Sequence, residues 1–124
     1  MIPPLKSAIA SYIFLARSRG YETGPTAGEL QASLDDAIRL ADGVEASEPA
    51  ALFYSLARRP AELDLAWRTF PRVMARNHGT ILGFELLASD DELEELGISI
   101  CLDGLSFEAV RDFFAARLVR RGSR

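Results

Sequence analysis

Apolar residues recur at three- and four-residue intervals along most of the chain, which is the spacing of one face of an α-helix. Residues that begin or end helices separate these stretches. Ser89 with Glu92, for example, forms a capping-box pattern, and Gly43 follows an apolar stripe. A chain of 124 residues can bury one core without disulfides. The sequence therefore predicts an all-α fold, a compact bundle of five to six short helices in a single domain, residues 1–124.

Six segments carry the helical pattern. The first is apolar on more than one side, which indicates either a central position or contact with a partner. The fourth contains Pro71, which predicts a kink or a split. The predicted helices cover approximately residues 3–19, 26–42, 47–59, 63–76, 89–96 and 106–121.

Turn-forming residues set the predicted ends of these helices. Asn77-His78-Gly79 is typical of a helix stop, and Gly97 is expected to end the fifth helix. Between these two points lies an apolar segment that favours an extended conformation. We expect at most one such short extended segment, near residues 81–87.

Composition excludes several classes of function. The net charge is −4, so we expect no nucleic-acid partner. No apolar stretch reaches the length of a membrane span, and we expect no membrane association. The single cysteine, Cys101, forms no internal disulfide, which favours a cytoplasmic location. One histidine and one cysteine are too few for a metal site, so no metal and no cofactor are predicted.

A row of arginines is the most suggestive basic feature. Arg68, Arg72 and Arg76 recur at i, i+4 and i+8 and should share one helix face. Such a face could bind a phosphate, a nucleotide or an acidic partner. The plainer interpretation is a solvated face opposite the core. His78, the only histidine, is predicted in a turn, as a surface or cap-bonded side chain.

The order of the pieces resembles the Fic/Doc family, and more closely its short death-on-curing toxins. Residues 28–34 are similar to the family's helix after its first loop, and residues 50–58 to the central helix that leads into the active loop. Residues 77–92 resemble its asparagine-glycine turn, apolar segment and acidic helix start, and residues 103–118 its closing helix. The resemblance covers roughly the whole chain and implies a Fic/Doc-like helical fold.

The catalytic loop departs from that family. The toxins carry His-x-Phe-x-Asp-Gly-Asn-x-Arg, in which histidine is the base and glycine and asparagine shape the phosphate cradle. Asp64 and Arg68 keep the family's spacing here. Pro60 replaces the histidine, and Leu65 and Ala66 replace the glycine and asparagine. Because the base and the cradle are missing, the resemblance implies ancestry and fold but not transferase activity.

Three hypotheses follow. The first is a catalytically degenerate, toxin-related protein that acts by binding a protein partner, either antitoxin-like or a second copy of itself. The second is a divergent phosphoryl- or nucleotidyl-transferase that uses Asp64, Arg68 and His78. The third is an unrelated small helical protein with a structural or regulatory role.

Overall fold

The structure, a computed structural model, describes residues 27–58 and 65–120, and the side chains within residues 32–58 and 71–120. The mainly helical prediction is confirmed over these residues. The elements are α1 (Ala27–Ala41), a 3-10 turn (Glu45–Ser47), α2 (Glu48–Ala57), α3 (Leu65–Ile81), β1 (Phe84–Leu86), α4 (Asp90–Asp103), α5 (Phe107–Ala115) and β2 (Leu118–Arg120).

Several sequence predictions lie outside the described residues. The predicted helix at residues 3–19 is one, and Pro60 and Asp64 are others. Arg68 lies within α3, but its side chain is also outside the described set.

Helix α2 is the central element. It contacts α1, α3, α4 and α5, and within it only Tyr54 is not fully buried. Pro49 stands in its first turn, where proline lacks only an N–H that has no helical partner. Ala50 and Ala51 are small and wholly buried, so neighbouring helices can approach closely.

The core lies between α2, α4 and α5. Phe53 of α2 and Phe114 of α5 meet with their ring centroids 5.5 Å apart. Aliphatic side chains of α4 and α5 complete this cluster, namely Leu93, Leu96, Ile100 and Val110. Burying apolar surface of this kind is the main term that favours folding.

Helix α3 corrects the predicted stop at Asn77-His78-Gly79, because it continues to Ile81. It also runs through Pro71 without the split that was one of the two predicted outcomes there. An interior proline costs about 3 kcal/mol, but Pro71, Met74 and His78 are all buried. Their packing outweighs the local preference, and the helix ends at Ile81, followed by a turn in which Gly83 has a φ of +90°.

Helix α4 also runs further than the sequence predicts. Gly97 was expected to end it, yet it continues to Asp103 and ends at Gly104 in the left-handed region. A Cβ atom at position 97 would lie 3.7 Å from Cζ of Phe53. Gly97 therefore faces the core, and burial of Leu96 and Ile100 around it outweighs the roughly 1 kcal/mol helix penalty of glycine.

The expectation of at most one extended segment is wrong. The segment predicted near residues 81–87 does contain β1, but Leu118–Arg120 forms a second strand, β2, which pairs antiparallel with it. The last helix ends at Ala115 instead of continuing through these residues. A lone strand would leave its backbone groups unpaired, and placing Leu118 opposite Leu86 pairs them while both side chains pack on the core.

The predicted helix starts at Ser89 and Ser106 are confirmed. Ser89 Oγ accepts from the Glu92 N–H, and the Glu92 carboxylate accepts from the Ser89 N–H. This backbone hydrogen bond holds the pKa of Glu92 below its ordinary value, with the nearby Arg117 adding to the effect. Since the pKa is lowered on folding, the resulting stabilisation is present at neutral pH and is lost as the pH falls through the lowered value.

Candidate functional site on helix α3

The guanidinium group of Arg76 binds three acceptors outside its own helix. Nη1 donates to the carbonyl oxygen of Leu86 at 3.1 Å, and Nη2 donates to that of Ala88 at 3.0 Å. Nη2 also lies 3.2 Å from Oδ1 of Asp90. Arg76 therefore connects α3 to the end of β1 and to the first turn of α4.

Arg72 lies one turn earlier and points the same way. Its Nη1 is 4.0 Å from a carboxylate oxygen of Glu94 on α4. Arg72 and Arg76 therefore share one face of α3, as their spacing predicts, and that face is turned toward the acids of α4. Anion binding at Arg68 stays a prediction, since its side chain lies outside the described set.

Replacing Arg76 by methionine is expected to lower the free energy of unfolding by about 2 kcal/mol, because a hydrogen bond from a charged donor contributes about 1.5–3 kcal/mol. Urea unfolding followed by circular dichroism measures this loss. The matched control is Arg39→Met, which removes an exposed ion pair with Asp36 and should change stability by less than about 1 kcal/mol. Equal losses of unfolding free energy in the two variants would contradict the conclusion that Arg76 stabilises the contact of α3 with β1 and α4.

His78 is wholly buried, so the predicted surface or cap-bonded histidine is wrong. Its Nε2 lies 2.9 Å from Oε1 of Glu48 at the start of α2, and that carboxylate is also buried. The reason for the difference is the continuation of α3, which carries His78 inward. The contact joins the last turns of α3 to the first turn of α2.

The buried imidazole and the arginine face point in different directions. Residues two apart on a helix do not face each other, and His78 contacts α2 whereas Arg76 contacts β1 and α4. Within the described residues, Nδ1 of His78 has no hydrogen-bond partner. The ring has no exposed surface, so it cannot accept a proton from a substrate in solvent.

Neither a metal-binding cluster nor a membrane-spanning helix occurs within residues 27–58 and 65–120. No group of three or more His, Cys, Asp and Glu side chains there could hold a metal ion. Cys101 is a half-buried free thiol. Among those residues, no helix combines the length and apolarity needed to cross a bilayer.

Glu48 is the residue that sequence reasoning missed. An acid in the first turn of a helix is typical of solvent-exposed charge that complements the helix dipole, so nothing local indicates burial.

Comparisons of the chain with protein-family models, with curated proteins and with solved structures gave no match.

Proposed function

We propose that this chain is a catalytically degenerate Fic/Doc-like protein that acts in the cytoplasm by binding another protein. The observation that supports this most directly is the use of its basic and imidazole groups inside the fold. Arg76 binds two backbone carbonyls and a carboxylate, and His78 is enclosed with Glu48. Groups held in this way are not available to bind phosphate or accept a proton.

The sequence of residues 60–66 supports the same proposal. A phosphate cradle needs backbone N–H groups at a helix start and glycine for close approach. This chain has Leu65 and Ala66 where the resembled family has glycine and asparagine, and Pro60 where that family has its base.

Exposed apolar side chains support a protein partner. Over the described residues, six large apolar side chains lie on the surface: Val44, Ile81, Leu87, Ile98, Leu102 and Val119. Single exposed apolar residues are common, whereas contiguous exposed apolar surface marks contact sites. Ile98 and Leu102 lie one helical turn apart on α4 and are both exposed. An antitoxin-like helix is one partner of this kind, and a second copy of the chain is another.

A labelling assay tests the proposal. The purified protein is incubated with a bacterial lysate and ATP labelled at the α- or γ-phosphate, beside a heat-denatured sample as control. We expect identical labelling in both samples, together with a partner protein that forms a stoichiometric complex when both are purified. Transfer of label that only the native protein supports, or failure to reconstitute any complex, would contradict the proposal.

The retained spacing of Asp64 and Arg68 favours a second candidate, a divergent phosphoryl- or nucleotidyl-transferase. Such an enzyme would hold the phosphates of its substrate with Arg68. Binding of nucleotide by the native protein, and its loss on Arg68→Ala, distinguishes this candidate from the first.

A further inference from the structure

Helix α4 has an unusual distribution of charge. Its fourteen residues include six acids and no basic residue. Three of the acids face arginines of neighbouring elements, with N–O distances between 3.2 and 4.0 Å. These pairs are Asp90 with Arg76, Glu92 with Arg117, and Glu94 with Arg72.

The other three acids of α4 have no such compensation. Asp91, Glu95 and Asp103 are exposed, and over residues 27–58 and 65–120 no ion pair forms at any of them. The molecule thus neutralises the acids that face its own body and leaves negative charge on the outer side of the helix.

The same outer side carries two exposed apolar side chains. Ile98 is 38% exposed and Leu102 is 70% exposed. At 100° per residue, Asp91, Glu95, Ile98 and Leu102 fall within an arc of about 60°. They form one stripe, here called the α4 stripe, with acids toward its N-terminal half and apolar side chains toward its C-terminal half.

We propose that the α4 stripe is a docking surface for an amphipathic helix of a partner protein. Lysine or arginine side chains of that helix would face Asp91 and Glu95, and its apolar side chains would cover Ile98 and Leu102. Charge complementarity selects this occupant, because uncompensated acids beside an apolar pair favour a segment with basic residues beside apolar ones. The inference rests on the proposed protein-binding function and names the chemistry of the partner.

Charge also argues against other occupants. Two copies paired through the stripe in parallel would place Glu95 against Glu95, and antiparallel pairing in register would place Asp91 against Leu102 and Glu95 against Ile98. The first arrangement brings like charges together and the second buries unpaired carboxylates against apolar side chains, and both are unfavourable. The negative charge equally repels nucleic-acid phosphates, so a basic protein helix is the occupant that the surface fits best.

The experiment uses the full ¹⁵N-labelled chain and a designed helical peptide that has lysines along one half of an apolar leucine face. We expect saturable amide shifts concentrated in residues 91–103. The Leu102→Glu variant should weaken peptide affinity at least about tenfold, since it removes one apolar contact and adds a charge. Val44→Glu, an exposed apolar position outside α4, is the matched control and should leave affinity unchanged.

A second peptide with glutamates in place of the lysines tests the charge argument and should bind at least about tenfold more weakly. The inference would be overturned if the two peptides bound with equal affinity. It would also be overturned if the Leu102→Glu variant bound the lysine peptide as tightly as the native protein does, or if the amide shifts were centred outside residues 91–103. A dimer that Leu102→Glu dissociates would overturn it as well. Label transfer in the lysate assay would instead contradict the proposed function. The peptide titration would still decide whether the α4 stripe binds a basic amphipathic helix.

Discussion

Replacing Glu48 by alanine is expected to lower the free energy of unfolding by about 3–5 kcal/mol, the usual loss when one member of a buried pair is removed. Glu48 and His78 are both enclosed, and Nε2 of His78 has the Glu48 carboxylate as its partner. Without that carboxylate, both ring nitrogens of His78 would be buried without partners in the described structure. Chemical unfolding followed by circular dichroism measures the loss.

Two further variants show whether the loss comes from the pair itself. Glu48→Gln keeps an oxygen that can accept from Nε2, so its loss should be smaller, about 1–3 kcal/mol. The double variant Glu48→Leu/His78→Leu removes both polar groups and should be less destabilised than the sum of its single variants. Losses below about 1 kcal/mol for Glu48→Ala, or strict additivity in the double variant, would contradict a buried bonded pair.

Replacing Phe114 by alanine is expected to cost about 3–5 kcal/mol, because it leaves a cavity in the centre of the core. The Phe114 ring is almost fully buried and lies 5.5 Å from the ring of Phe53 and 6.0 Å from that of Phe113, measured between centroids. Neighbours on three helices would have to move to fill the space. Thermal and urea unfolding of the variant measure the loss.

The control for Phe114 is a truncation at an exposed apolar position. Val119→Ala removes surface that is already half in contact with water and should change stability by less than about 1 kcal/mol. Phe114→Leu should fall between the two, since leucine refills part of the cavity. If Phe114→Ala cost no more than Val119→Ala, the aromatic cluster would not be the centre of the core.

Local chemistry explains which parts of the fold were predictable. The capping box at Ser89 and the cap at Ser106 involve residues three positions apart, so the sequence contains the whole interaction. Features of this kind were predicted correctly because they do not depend on what surrounds the helix.

The ends of α3 and α4 were not predictable in this way. Gly79 and Gly97 each weaken a helix locally, but both lie on sides that contact other elements. Cβ positions built on them approach Pro49 and Phe53. Packing against residues distant in sequence outweighs a local preference of about 1 kcal/mol, and a single sequence does not show which preferences will be outweighed.

The candidate site was likewise predictable from the sequence only in its local features. The spacing of Arg72 and Arg76 was enough to place them on one helix face. Their acceptors, including the carbonyl oxygens of Leu86 and Ala88, are brought there by β1 and the following turn. The pairing of Glu48 with His78 joins residues thirty positions apart, so only the folded arrangement reveals it.

The central claim is that the charged groups of α3 stabilise the fold and do not bind a nucleotide. Calorimetric titration of ATP into the native protein tests this claim most directly. We expect no saturable heat, with the native protein and the Arg68→Ala variant giving the same trace as buffer. Saturable binding at one site per chain that Arg68→Ala abolishes would contradict the account and would favour a transferase with a divergent site.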